Sequence, residues 1–246
     1  MTSLVIDRLS KNFGGLQALR ELSLEIEPGE RRAIIGPNGA GKTTLFHLIG
    51  GQLSPSSGRI VLFDREVSTL PPFRRAALGL GRTFQITTLF ANLTVMENML
   101  LAVQALDSVR LVLHRPLTSY HHIRSQARSL LEQWNLWEKR SAQARQLSYG
   151  EQRQLEILLA LAPKPKVLLL DEPTAGLSAI ETKQVVTMIQ QLDATISVLL
   201  IEHDMDVAFQ VAQRIAVLHQ GRLLADGSPE AIRKDSTVAE IYLGVD

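Results

Sequence analysis

The chain has 246 residues, enough for one large domain or for a core with a smaller lobe. Its formal net charge is +1, so no basic field indicates nucleic acid as the main partner. Cysteine is absent, which excludes disulfide bonds, thiol catalysis and cysteine-based zinc sites and is typical of a cytosolic protein. No apolar stretch approaches the ~20 residues of a membrane-spanning helix, and the first residues lack a signal-peptide pattern. We therefore expect a soluble chain that can dock onto a membrane protein.

The first third of the chain is predicted to contain short strands and two helices. A helix from residue 43 to 49 should stop at Gly50 and Gly51, and a second helix should open at Pro71 and Pro72. The predicted strands, which are apolar runs or alternations, cover residues 4–6, 22–26, 31–36, 59–63 and 81–85.

The pattern becomes helical from residue 94 to about residue 161, where Val95, Met99 and Val103 recur at helical spacing. Strands are predicted again at residues 166–171, 195–201 and 214–219, in alternation with helices. Such alternation favours parallel βαβ units. The sequence therefore predicts an α/β core with an inserted helical lobe. Ser228, Pro229 and Glu230 are typical of a helix start, and a last helix is predicted from residue 238 to Gly244.

A glycine-rich loop follows the third predicted strand and opens a helix. Gly36, Gly39 and Gly41 leave backbone N–H groups free to turn towards phosphate oxygens. Lys42 can reach the β- and γ-phosphates of a nucleotide, and the Thr43 hydroxyl can ligate Mg²⁺. The helix that follows directs its positive end at the anion. This context favours a nucleoside triphosphate site over an incidental glycine-rich loop.

Two carboxylates stand where the buried strand at 166–171 ends. Asp171 occupies the end of the strand, where a carboxylate can hold Mg²⁺ through water. Glu172 points elsewhere and can polarise an attacking water. A solvent-facing acidic pair is the alternative, and the upstream glycine loop argues against it.

Four further residues have both a structural and a functional interpretation. Ser148 and Gly150 precede a helix, where the serine can be a simple N-cap or can bind a γ-phosphate together with the glycine. His203 and Gln85 each follow a strand, and taken singly such residues are more often structural. Phe13 is more often a core residue than a base-stacking one.

Taken together, these motifs resemble those of the ATP-binding cassette (ABC) ATPases, in the family order and over essentially all of residues 1–246. The resemblance implies a P-loop (RecA-like) α/β core with an antiparallel β subdomain, residues 1–93 and 162–246, and an inserted α-helical subdomain, residues 94–161. It also implies ATP hydrolysis in a head-to-tail dimer. In that dimer, Ser148, Gly150 and the D-loop (residues 175–178) of one subunit complete the site of the other.

The resemblance implies ATP and Mg²⁺ as the bound species. The implied nucleotide-contacting residues are Phe13, Gly36, Pro37, Asn38, Gly39, Ala40, Gly41, Lys42, Thr43, Thr44, Gln85, Ser148, Gly150 and Asp171. The implied catalytic residues are Glu172, His203, Lys42 and Gln85, and the implied metal ligands are Thr43, Gln85 and Asp171.

More narrowly, the chain resembles the ATPase subunits of branched-chain amino acid importers. This implies transmembrane permease subunits, a second ATPase subunit and, indirectly, a periplasmic binding protein as partners, with the chain peripheral on the cytoplasmic face of the inner (plasma) membrane. Urea or amide importers, lipopolysaccharide exporters and soluble ABC ATPases are the alternatives. Tyr149, Glu151 and Ser178 depart from the commonest family pattern, and the sequence leaves open the substrate, the choice of homo- or heterodimer, and the roles of Trp134 and Trp137.

Overall fold

The computed structural model describes residues 2–83, 89–107 and 119–243, the last three of these by their backbone alone. Gln85 and Gly244, which the sequence analysis singled out, lie outside the described residues, as do residues 86–88. The chain divides into two compact units. The first comprises Met1–Arg82, Lys166–Pro173 and Leu192–Asp246, and the second comprises Thr83–Pro165 and Thr174–Gln191.

The strands described belong to the first unit. In chain order they are β1 (Leu4–Phe13), β2 (Leu16–Ile26), β3 (Arg31–Ile35), β4 (Ser57–Leu62), β5 (Arg65–Glu66), β6 (Leu80–Arg82), β7 (Val167–Asp171), β8 (Ser197–Ile201), β9 (Arg214–His219) and β10 (Arg222–Gly227). The helices described in this unit are α1 (Lys42–Gly50) and α2 (Pro72–Ala77) near its start, then α7 (Met205–Val211), α8 (Pro229–Arg233) and α9 (Ser236–Leu243).

The second unit is helical. Its helices are α3 (Val95–Gln104), α4 (His121–Gln133), α5 (Tyr149–Leu161) and α6 (Ala179–Gln190). Each of α3, α5 and α6 begins with a capping box, in which an N-cap hydroxyl and a glutamate three residues later exchange hydrogen bonds with backbone N–H groups. This reciprocal pairing satisfies two backbone donors that the helix itself leaves free. The sequence pattern Ser/Thr-x-x-Glu therefore sets where these three helices start.

A six-stranded sheet in the first unit has the order β10-β9-β3-β8-β7-β6. The strands β9, β3, β8, β7 and β6 pair in parallel, and β10 pairs antiparallel to β9 at one edge. Every residue of β7 and β8 is buried, as expected for parallel strands covered on both faces. Because the strands run in parallel, the loops after β3, β7 and β8 leave the sheet at the same edge. That edge carries the candidate site.

An antiparallel sheet of order β2-β1-β4-β5 forms the other layer of the first unit. Inward side chains of β1 and β2, such as Ile6 and Leu22, belong to one apolar cluster with Leu45 and Phe46 of α1. The cluster also includes Leu169 of the parallel sheet. Both sheets therefore share a core with the helix that follows the glycine loop.

The predicted fold class, an α/β core with an antiparallel β layer and a helical insertion, is confirmed. Several strand bounds differ from the predictions. β1 and β2 extend towards each other as far as Phe13 and Leu16, because cross-strand pairing continues along a polar stretch with three register shifts. β5 and the edge strand β10 were not predicted, since neither contains a continuous apolar run.

Candidate nucleotide-binding site

The glycine loop connects β3 to α1 in a backbone form that other residues would not tolerate. Gly36 has φ +152° and Gly41 has φ +103°. A Cβ atom on Gly36 would lie 2.2 Å from the Leu218 carbonyl oxygen, and one on Gly41 would lie 2.7 Å from the Ala18 carbonyl oxygen. The loop therefore depends on glycine at both positions. Gly41 is also the N-cap residue of α1 and provides no side-chain cap, so the first N–H groups of the helix stay free for an anion.

The buried side chain of Lys42 contacts the backbone of the glycine loop. Its Nζ donates hydrogen bonds to the Gly36 oxygen at 2.6 Å and to the Pro37 oxygen at 3.1 Å, and only 5% of the residue is exposed. Burial lowers the pKa of Lys42, and the negative charges of Glu172 and Asp171 act against that shift. The ammonium group thus lies within the field of both carboxylates. A phosphate group would offer the buried cation a stronger partner than two carbonyl oxygens.

Asp171 ends β7 and is 1% exposed. Burial raises the pKa of its carboxyl group, and the positive charge of Arg82 is the main influence in the opposite direction. Arg82 Nη2 lies 3.4 Å from Asp171 Oδ2, and Arg82 Nη1 donates to the Phe46 oxygen at 3.0 Å and to Gln52 Oε1 at 2.7 Å. Arg82 therefore fixes the carboxylate relative to α1 and the residues that follow it.

Glu172 and His203 meet at the same edge of the sheet. Glu172 has φ +48°, a left-handed backbone conformation that few residues other than glycine adopt, and its N–H donates to the Ile201 oxygen at 3.0 Å. His203, two residues after β8, places Nε2 2.8 Å from Glu172 Oε1. The Glu172 side chain is 15% exposed and the His203 side chain 44% exposed. The pair is thus accessible to solvent and to a substrate.

The other predicted contacts take varied positions. Thr43 and Thr44 are half-buried at the start of α1. Phe13, at the end of β1, is 45% exposed, and Lys11 Nζ lies 5.1 Å from its ring centroid. An exposed ring of this kind offers a face on which a base can stack.

The donor set suits Mg²⁺ held together with phosphates. The hydroxyl of Thr43 and the carboxylate of Asp171 are oxygen ligands, which Mg²⁺ prefers. No group of three or more His, Cys, Asp or Glu side chains among the described residues forms a metal cage. Mg²⁺ in phosphoryl-transfer enzymes needs no such cage, because it takes one or two protein ligands, waters and substrate oxygens. The residues present therefore fit a magnesium-nucleotide complex.

The start of α5 in the second unit forms a separate arrangement. Ser148 is the N-cap of α5, and its Oγ accepts a hydrogen bond from the Glu151 N–H at 3.2 Å. The buried Gly150 donates its N–H to Glu181 Oε1 at 3.1 Å, and Ser148 Oγ donates to the same oxygen at 3.5 Å. The N-cap interpretation of Ser148 is therefore confirmed, and its hydroxyl also contacts an anionic group.

Comparison with known protein families gives a match over the part of the chain that contains the glycine loop and Glu172. The family model described as ABC transporter matches residues 19–175. The chain belongs to this family. It is therefore an ATP-binding ATPase subunit, which confirms the predicted enzyme class. A second family model, described as branched-chain amino acid ATP-binding cassette transporter, matches residues 222–246.

Similar ABC proteins cover nearly the whole chain. The high-affinity branched-chain amino acid transport ATP-binding protein LivG of Escherichia coli strain K12 is 40% identical, covering 98% of this chain and 97% of its own length. BraF of Pseudomonas aeruginosa, described in the same words, is 38% identical with the same coverage. The lipopolysaccharide export system ATP-binding protein LptB of Escherichia coli strain K12 is 34% identical, covering 100% of this chain and 99% of its own length.

Solved ABC cassettes share the fold. A cassette crystallised in its ADP conformation matches with a TM-score of 0.87 and 29% identity, covering 100% of both chains. A dimeric cassette in a post-hydrolysis state, bound to ADP and Pi, matches with a TM-score of 0.77 and 25% identity, covering 92% of this chain and 98% of that chain. Both are structures of nucleotide-bound ABC cassettes.

Sequence reasoning missed two residues of this ABC ATPase. Arg82 joins Asp171 to the middle of α1 through the Phe46 oxygen, and no local pattern marks it. Glu181 holds the starts of both α5 and α6. The pattern Ser178-x-x-Glu181 identifies a capping box at α6, but nothing local predicts the contact with Gly150. Ser178, where the family commonly has Asp, provides the N-cap of α6.

Proposed function

We propose that this ABC ATPase hydrolyses ATP to power the uptake of branched-chain or related amino acids through separate permease subunits. The observation that most supports ATP hydrolysis is that Lys42, Asp171 and the Glu172–His203 pair meet at one edge of the parallel sheet. Coverage of nearly the full length of LivG and BraF, together with the match of residues 222–246 to the branched-chain family model, supports this substrate class.

The chemistry proposed for the site is transfer of the γ-phosphoryl group to water. The oxygen of the water forms a bond to phosphorus, the bond to the β–γ bridging oxygen breaks, and ADP and phosphate leave. Glu172 orients the water and accepts its proton, while Lys42 and His203 stabilise charge on the γ-phosphoryl oxygens. Thr43, Asp171 and the predicted Gln85 would hold Mg²⁺, which would supply positive charge to neutralise the phosphate oxygens.

A second ATPase subunit is proposed to complete each site. Ser148, Gly150 and the D-loop of one subunit would face the nucleotide held by the other. A dimeric cassette among the similar structures supports pairing. Phosphoryl transfer depends on positioning and on charge stabilisation, so added donors around the γ-phosphate accelerate it. A heterodimer with a different ATPase is our default, since the proposed importer type pairs two.

The domain assignment stays a prediction, with a nucleotide-binding core at residues 1–93 and 162–246 and a helical subdomain at residues 94–161. We place the permease-docking surface in the helical subdomain and residues 86–98. Phe90 is 59% exposed there, while Leu89 and Leu93 are half-buried. The buried amide of Asn98 holds this loop, donating to the Phe90 oxygen at 3.2 Å and accepting from the Phe90 N–H at 3.0 Å. An exposed aromatic on a held loop suits docking.

The proposed location is peripheral, on the cytoplasmic face of the inner (plasma) membrane, with a periplasmic binding protein as an indirect partner. No helix among the described residues combines the length and apolar character needed to cross a membrane. Attachment would therefore run through the permease. The net charge of +1 argues against nucleic acid as a partner.

Purification of the chain from gently solubilised native membranes tests this function. Two multispanning permeases and a second ATPase should copurify, and the binding protein encoded beside them should bind leucine, isoleucine or valine on titration. Copurification with lipopolysaccharide-export components would instead support the function named for LptB. Recovery only in the soluble fraction would contradict a transport role and leave the ATPase assignment intact.

A further inference from the structure

One carboxylate bridges the two segments that the proposed function assigns to the partner's ATP. Glu181 Oε2 accepts hydrogen bonds from Ser178 Oγ at 2.7 Å and from the Ser178 N–H at 3.1 Å, which caps α6. Its other oxygen, Oε1, accepts from the Gly150 N–H at 3.1 Å and from Ser148 Oγ at 3.5 Å. The side chain therefore joins Ser178, the last residue of the D-loop, to Ser148 and Gly150 at the start of α5, which we call the signature residues.

Glu181 also covers Gly150 sterically. A Cβ atom on Gly150 would lie 2.6 Å from both Cγ and Oε1 of Glu181. The hydroxyl of Ser178, its N–H and the N–H of Gly150, in this order of influence, lower the pKa of Glu181. The group is therefore an anion at neutral pH. A second anion cannot reach the Gly150 N–H while this carboxylate stays in place.

We propose that Glu181 is an internal competitor of the γ-phosphate for the signature residues Ser148 and Gly150. The inference rests on the proposed function, in which the partner's ATP uses these two donors. Formation of the ATP-bound dimer then requires Oε1 to release both of them, because two negative groups cannot share one N–H and one hydroxyl. Its hold on Ser178 changes with the same movement, which links occupancy of the signature to the D-loop.

Competition by Glu181 raises the ATP concentration that dimer formation requires. Only molecules in which Glu181 has released the signature can accept the phosphate, so the apparent affinity falls by the fraction that is competent. Neutralising the side chain weakens its hold on Gly150, since hydrogen bonds to a charged acceptor are about twice as strong as neutral ones. Glutamine at this position preserves the capping box, which accepts Glu or Gln.

The test uses full-length chain carrying Glu172→Gln, to prevent turnover, together with the ATPase that copurifies with it. Dimer formation is followed by light scattering as ATP is added, with and without Glu181→Gln. We expect Glu181→Gln to lower the ATP concentration at half-maximal dimer by about three- to tenfold. An unchanged or higher ATP requirement would overturn the inference.

The matched control is Glu97→Gln. Glu97 has the same position in the capping box of α3, where it accepts from the Thr94 N–H at 2.7 Å, whereas the signature residues belong to the start of α5. No permease is present in the assay, so docking does not contribute. We expect Glu97→Gln to leave the ATP requirement unchanged. An equal effect of both substitutions would overturn the inference, because loss of a capping charge would then explain it.

Thermal unfolding without nucleotide separates this role from a purely structural one. A residue that only stabilises α5 and α6 would, on substitution, lower the melting temperature and raise the ATP requirement together. A competitor gives a lower ATP requirement whatever the direction of the change in melting temperature. If the Glu172→Gln parent forms no ATP-dependent dimer with any ATPase, the proposed completion of each site by a second subunit is wrong. That outcome is distinguishable from a failure confined to Glu181.

Discussion

His203 Nε2 lies 2.8 Å from Glu172 Oε1, and the two residues follow neighbouring parallel strands. Glu172 has a left-handed backbone, with φ +48°, directly after Asp171, which ends the same strand. The two adjacent carboxylates therefore have different partners, Arg82 for Asp171 and His203 for Glu172. This division is the structural basis for assigning the metal to Asp171 and the water to Glu172.

Glu172→Gln should abolish most hydrolysis while an ATP-bound dimer accumulates. The amide still accepts a hydrogen bond from His203 but cannot take a proton from water, so we expect kcat to fall by at least about 100-fold. Phosphate release and light scattering with ATP measure both effects. Glu230→Gln, an exposed first-turn residue of α8, is the control and should keep full turnover. Normal turnover in Glu172→Gln would remove Glu172 from the mechanism.

His203→Ala should lower kcat by about 100-fold with little change in ATP affinity. In the proposed mechanism the side chain contributes a donor to the γ-phosphoryl group in the transition state, and loss of one such donor typically costs this much. Steady-state kinetics separate kcat from KM, and His121→Ala, on the exposed start of α4, provides the comparison. A rise in KM alone would show that His203 only binds substrate.

Lys42→Ala should weaken nucleotide binding. The buried ammonium group loses its hydration in the folded chain, and a bound phosphate would compensate for that loss. We expect the stabilisation of the unmodified chain by ADP, about 2.7 kcal/mol at 100 times Kd, to be absent from the variant. Thermal unfolding with and without ADP measures it, with the exposed Lys183→Ala as control. Equal ADP stabilisation of Lys42→Ala and the unmodified chain would refute the loop assignment.

Arg75→Met should destabilise the first unit by about 3 kcal/mol or more. The side chain, 1% exposed, donates to the carbonyl oxygens of Leu48, Ile49, Ser68 and Leu70. Two of these acceptors lie at the end of α1, and buried carbonyls left without donors cost about 1–3 kcal/mol each. Urea unfolding measures the change, and the exposed Arg74→Met should differ little from the parent. Equal stability of the two variants would refute this role.

Phe90→Asp should uncouple transport from hydrolysis. The ring is 59% exposed and lies outside the candidate catalytic residues, so a charge there should disrupt permease docking and spare basal ATPase activity. Amino acid uptake and ATPase rates in reconstituted transporter provide the measurements. Phe73→Asp, 69% exposed on α2, is the matched control. Retained uptake in Phe90→Asp would place docking elsewhere.

The structure gives contacts for Trp134 and Trp137, the two tryptophans whose roles the sequence left open. The guanidinium groups of Arg128 and Arg140 lie 5.0 Å and 4.5 Å from the centroid of the Trp137 ring. Trp134 is half-buried at the end of α4, where its backbone N–H donates to the Leu130 backbone oxygen at 3.3 Å. Both contacts lie within the helical unit. The Trp137 ring therefore packs against two arginines of its own unit.

Local patterns in the chain were sufficient to predict the glycine loop, the buried strands and the helix starts. These features depend on residues a few positions apart: glycines that adopt positive φ, apolar runs that suit parallel strands, and caps that pair Ser148 with Glu151. Side-chain chemistry and spacing specify them before the chain folds. The candidate nucleotide residues were predictable for this reason.

Only the tertiary structure decided which distant groups meet. Arg82 and Asp171 are 89 positions apart, and Glu181 and Gly150 are 31 apart. Edge strand β10 has no continuous apolar run, and it forms because β9 offers free backbone groups for pairing. Such contacts depend on folded geometry rather than on local propensity, since burial and charge act on groups that the chain brings together. The competing carboxylate at the signature therefore became visible only in the fold.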